Sequence, residues 1–124
     1  MKITAFAYTC YPVTDLARAR NFYEKQLGLT ADSVMEQEGR GWIEYVIGDS
    51  CLAIANGFGD ELKPGAQGPA MVLEVADINA ATAELKAAGV RFKFEPMDFP
   101  PCHLAVAFDP DGNQIGLHQI KKPA

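Results

Sequence analysis

From Val13-Thr14-Asp15-Leu16 onward, apolar residues recur at helical spacing. Leu16, Ala19, Phe22, Tyr23 and Leu27 share one face, and Gly28 stands where a left-handed C-terminal cap belongs. Asp15 or Thr14 supplies the N-cap. A near-copy begins at Val75-Ala76-Asp77-Ile78, with Ile78, Ala81, Leu85 and Ala88 on one face and Gly89 at its end. Short strand-like runs precede both helices, Ile3 to Thr9 and Ala70 to Val75. After the first helix, strands are predicted over Ala31 to Glu38, Gly41 to Ile47 and Ser50 to Ala55, parted by turn residues. After the second they are Arg91 to Glu95, His103 to Phe108 and Gln114 to Ile120. The segment Pro96 to Pro101 reads as a Pro-rich loop, because no central strand tolerates proline there. Asp109-Pro110-Asp111-Gly112-Asn113 makes the last turn.

The pattern is therefore a duplicated β-α-β-β-β unit, an α+β fold of two tandem repeats. The expected organisation is one domain over 1–124, with repeat 1 about 1–57, a Gly- and Pro-rich linker 58–69 and repeat 2 about 70–122. Sheets with one helix-covered face each are expected to combine into a curved mixed sheet around a trough, a natural ligand site.

Composition narrows the function classes. Nearly half the residues are apolar, so an ordered globular chain is expected. The net charge of −5 disfavours nucleic acid and anionic lipid as partners. No apolar run is long enough for a membrane-spanning helix, and the start lacks a signal peptide's apolar stretch, so a cytoplasmic location is expected. Cys10, Cys51 and Cys102 are odd in number and widely spaced, which suits a reducing compartment.

The run Asn21-Phe22-Tyr23-Glu24-Lys25-Gln26-Leu27-Gly28-Leu29 after an Asp-Leu pair, together with Asp109-Pro110-Asp111-Gly112-Asn113-Gln114-Ile115 near the end, resembles the vicinal oxygen chelate superfamily. Glyoxalase I, extradiol dioxygenases and bleomycin-resistance proteins share that architecture. The resemblance covers essentially the whole chain, but the fold hosts both enzymes and binding proteins. In metal-dependent relatives the repeats supply His or Glu ligands from their first and last strands. Those positions fall here on Tyr8, Ala53, Ala70 and Gly116. Alanine and glycine offer no donor and a phenol is a poor one, so no metal and no other cofactor is expected.

Three candidates remain for catalysis. His118 lies two residues past Gly116, hence on the same strand face, although a strand-end histidine often serves only the sheet's rim. Glu74 shares parity with Ala70 and could act as base or amine partner, against the alternative of a solvated carboxylate. Tyr8 is the third. Cys102 and His103 are adjacent, face opposite sides of a strand and cannot pair. Asp109 and Asp111 are assigned to turn hydrogen bonding.

The resemblance and the aromatic content imply a metal-free protein that binds a small hydrophobic or aromatic molecule, as a homodimer. The expected ligand-binding set is Tyr8, Trp42, Tyr45, Cys51, Ala53, Phe58, Ala70, Phe94, Gly116 and His118, with Trp42, Tyr45 and Phe58 able to face a partner subunit instead. The alternative is an isomerase, lyase or dioxygenase-like enzyme acting in the same trough.

Overall fold

The computed structural model describes residues 1, 2, 4, 6–57, 63–65 and 70–121. The chain divides into two compact units, Met1–Pro64 and Gly65–Ala124.

The first unit runs β1 (Thr9–Pro12), α1 (Leu16–Arg20), a π-helical segment (Asn21–Gln26), β2 (Ser33–Gln37), β3 (Arg40–Ile47) and β4 (Ser50–Asn56). Its sheet has the order β1-β4-β3-β2, with β1 parallel to β4 and the other pairs antiparallel. The second unit repeats this plan with β5 (Met71–Glu74), α2 (Ile78–Ala87), β6 (Phe92–Asp98), β7 (Cys102–Phe108) and β8 (Gln114–Ile120). Its order is β5-β8-β7-β6, with β5 parallel to β8. The α+β architecture of two β-α-β-β-β repeats is thus present. Among the described residues no helix is long and apolar enough to cross a membrane.

Each helix starts and stops for the same local reasons. The carboxylates of Asp15 and Asp77 accept the backbone N–H three residues on, from Arg18 and Ala80, each at 3.0 Å. Gly28 and Gly89 follow the helices with φ of 78° and 85°, a conformation that glycine adopts without a Cβ penalty.

Three predicted boundaries differ. Among the described residues the first strand is Thr9–Pro12, which lies beside Leu52–Ala55 of β4, and Phe6 to Tyr8 precede it outside the ladder; Ile3 and Ala5 of the expected strand lie outside the described residues. The first helix is not regular to its end: Leu27 N–H bonds Phe22 C=O, five residues back, at 2.9 Å. That wide turn accommodates the adjacent side chains of Phe22 and Tyr23, both buried. Pro96 belongs to β6 and not to a loop. β6 is an edge strand, and its pairing with β7 shifts register between Phe94 and Met97, where a missing N–H is tolerated.

Strand alternation divides each sheet into two faces. In the first unit, Tyr11, Ile43, Tyr45, Leu52 and Ile54 are buried beneath the helix. In the second, Ile115, Leu117 and Ala105 occupy the equivalent side, and Gln119 Oε1 accepts the first helical N–H of α2, from Ile78, at 2.7 Å.

Candidate functional site

The face turned away from the helix in the first unit carries the other parity: Cys10 on β1, Trp42 and Glu44 on β3, and Cys51, Ala53 and Ala55 on β4. Tyr8 precedes β1 with the parity of Cys10. Its ring meets Trp42 edge to face, with centroids 5.2 Å apart and an interplanar angle of 89°. Such a pair is favoured by the quadrupoles of the two rings. Trp42 Nε1 donates to Glu44 Oε2 at 2.7 Å, which fixes the indole and leaves its ring surface as an apolar wall. Ala53, directly opposite Glu44, adds no bulk.

Both thiols on this face are held toward the protonated form. Burial pushes Cys10 up. Cys51 is also pushed up, first by burial and then by the nearby carboxylates of Glu44 and Asp32. Sequence reasoning does not single out Cys10 or Glu44, yet period-two alternation carries the signal, because Glu44 stands two residues from Trp42 and Cys10 two from Tyr8.

Tyr45 does not belong to this surface. Its odd position on β3 turns it under the helix, where it is fully buried, stacks on Tyr23 at 6.0 Å and donates its hydroxyl to Glu24 Oε2 at 3.0 Å. Burial and that carboxylate drive the phenol far above its ordinary range. Glu24 is held below the usual carboxylate range chiefly by Arg20, whose Nε and Nη2 reach its two oxygens at 2.6 and 3.2 Å. Aromaticity marked Tyr45 as a candidate, and strand parity makes it core. Phe58 lies outside the described residues.

In the second unit, Gly116 pairs with Val72 and Val106, and His118 pairs with Glu74 and Leu104, all on the helix-free face. Phe94 pairs with Val106 and is half-buried; Ala70, just before β5, is exposed. Glu74 and His118 are in direct contact, Oε1 to Nδ1 at 2.5 Å, and Glu74 Oε2 accepts the Ile120 N–H at 2.9 Å. The backbone donor first and His118 second hold the Glu74 carboxyl below its usual range.

His103 stands on the other parity of the sheet, 3.6 Å from Asp98, which also contacts Lys121. Asp109 is buried and accepts N–H bonds from Asp111 and Asn113 and from the Asn113 side-chain amide, as a turn residue does.

The family model for the glyoxalase/bleomycin resistance protein/dioxygenase superfamily matches residues 5–117. The chain belongs to this superfamily. Among solved structures of the same fold is TnmS3, an antibiotic binding protein from Streptomyces sp. CB03234. It is 27% identical, with a TM-score of 0.82 over 98% of this chain and 99% of that one. A glyoxalase/bleomycin resistance protein from the same organism is 27% identical, with a TM-score of 0.76 over 93% and 100% of the two chains. An integron cassette protein from the mobile metagenome of V. cholerae is 25% identical, with a TM-score of 0.72 over 98% of each. No curated protein matches the chain.

Membership in the superfamily raises the question of its metal. The residues at the implied ligand positions do not fit one. Ala53, Ala70 and Gly116 have no donor atom, and Tyr8 offers a phenol. The space beside Gly116 is also filled, since a Cβ built there would stand 2.9 Å from Val72 Cγ2. Among the described residues no three His, Cys, Asp or Glu side chains converge as a metal site would require.

Proposed function

We propose that this superfamily member binds a small hydrophobic or aromatic molecule without a metal and sequesters it rather than transforming it. The observation that carries this reading is the Tyr8–Trp42 pair, with Trp42 anchored by Glu44 over a strand face of alanines and cysteines. A flat ligand gains stacking and apolar burial on such a surface, and the immobilised indole loses little entropy on binding. The likeness to an antibiotic binding protein over nearly the whole chain supports the same class of role. A homodimer in the cytoplasm is the proposed working form.

The chain has one tryptophan, so its fluorescence reports on this face. Titration with flat polycyclic aromatics is expected to quench Trp42 saturably. In calorimetry, Tyr8→Ala should weaken binding about tenfold, the equivalent of one edge-to-face contact near 1.4 kcal/mol. Unchanged affinity in Tyr8→Ala, or no saturable quenching across the panel, would sink the proposal.

A further inference from the structure

The hairpin that joins β2 to β3 carries a cation at the edge of the aromatic face. Glu38 and Gly39 form its two-residue turn, with φ of 55° and 77°. Asn56 on β4 clamps the hairpin: its Oδ1 accepts the Gly41 N–H and its Nδ2 donates to the Gly39 carbonyl, each at 2.9 Å. Arg40 leaves this fixed turn and lays its stem over Gly57, so closely that a Cβ there would stand 2.9 Å from Arg40 Cδ. An open groove of about 690 Å³ lies against this corner, lined by Arg40, Gly57, Met35, Gln37 and Asn56. Two carboxylates also border it, and neither pairs with the arginine. Glu36 is 3.6 Å from Arg20, and Glu38 is taken up in the turn. Among the described residues Arg40 has no hydrogen-bond or ion-pair partner. A guanidinium stays charged in proteins and presents a planar fork of donors that takes both oxygens of a carboxylate.

Strand register ties this groove to the aromatic face. Gln37 pairs with Arg40 and Met35 with Trp42, so both pairs stand on the same side of the sheet. They are two residues apart, about 7 Å along the strand, a span that a flat two-ring carboxylate covers. Met35 belongs to both places: it lines the groove, stands opposite Trp42 and is 66% exposed. Glu44, two residues beyond Trp42 on that side, accepts the indole N–H. β3 therefore presents a guanidinium, an indole and a carboxylate in order along one face. An anionic group is drawn to the Arg40 end and repelled from the Glu44 end.

We propose that this face selects flat aromatic carboxylates, with the ring on Trp42 and Met35 and the carboxylate in the fork of Arg40. The selection rests on the reading of Trp42 as an aromatic platform; Arg40 adds the sign of the ligand's charge and its direction on the face.

Three probes of nearly one shape test it: 2-naphthoate, the neutral 2-naphthalenemethanol and the cation 2-naphthylmethylammonium. In calorimetry at neutral pH and low salt, the carboxylate is expected to bind about fivefold more tightly than the alcohol, the yield of an exposed ion pair, and the ammonium most weakly. Raising the salt to about 0.5 M should shrink that preference, because the pair is open to solvent. Arg40→Gln should bring the carboxylate down to the affinity of the alcohol and leave the alcohol unchanged. Arg40→Lys should keep part of the preference, since an ammonium retains the charge and loses the fork. The comparison of probes and its salt dependence are read in the unaltered protein, so they stand whatever the variants do.

Equal binding of carboxylate and alcohol, tighter binding of the ammonium, or a preference that persists in Arg40→Gln overturns the role of Arg40 and leaves aromatic binding at Trp42 standing. The same holds if no probe binds while larger aromatics still quench Trp42. Absence of that quenching as well removes both.

Discussion

At the scale of single residues, the hydrogen-bonded group Arg20–Glu24–Tyr45 ties the π-helical segment to the centre of β3. The Glu24 carboxyl is depressed in the folded chain. Its contribution to stability is therefore present above the ordinary carboxylate pKa, about 4.3, and is lost as pH falls through the lower folded value. Acid unfolding is expected to begin below that range, and Glu24→Gln should flatten the dependence in urea midpoints measured from neutral to acid pH. Tyr45→Phe keeps the ring packing against Tyr23 and removes one hydroxyl. It should cost about 1 kcal/mol with an unchanged urea m-value. A loss of aromatic-ligand affinity in that variant with stability intact would return Tyr45 to the binding surface.

At the scale of elements, two glycines mark where strands approach too closely for a side chain. A Cβ at Gly41 would fall 2.0 Å from the Met35 carbonyl oxygen, a backbone atom that cannot step aside without parting β2 from β3. Gly41→Ala is expected to destabilise by about 3 kcal/mol. At Gly116 the obstruction is the Val72 side chain, which can be trimmed. Gly116→Ala should cost about 1 kcal/mol and recover in the Val72→Ala background, a coupling that a double-mutant cycle reads directly. The same geometry sets the terms for rebuilding a metal ligand. Gly116→Glu with Ala70→His should gain zinc retention when Val72→Ala clears the space, and little when it does not. The helices were legible from Asp15, Gly28, Asp77 and Gly89 because caps act locally. The β1 boundary and the placement of Pro96 in β6 were not, because both depend on which distant strand lies alongside.

At the scale of the whole molecule, the lack of any donor atom at Ala53, Ala70 and Gly116, with only a phenol at Tyr8, carries a prediction about loading. After incubation with zinc, nickel, manganese or ferrous iron and desalting, no stoichiometric metal should remain; a retained equivalent would contradict the metal-free reading. The duplicated β-α-β-β-β plan and the turn built by Asp109 to Asn113 could both be read from the chain. Each rests on spacing along the sequence or on the chemistry of single side chains. What only tertiary structure decided was the company each side chain keeps. Parity alone would place Trp42 with Glu44, but the Tyr8–Trp42 contact joins residues from separate segments. Tyr45 became core because the helix covers its face, and Glu74 and His118, read as separate candidates, became a contacting pair because β5 and β8 run parallel with those residues in register. Sequence fixes periodicity and chemistry within a few residues; pairing between strands far apart in the chain is set by the packing of the whole sheet.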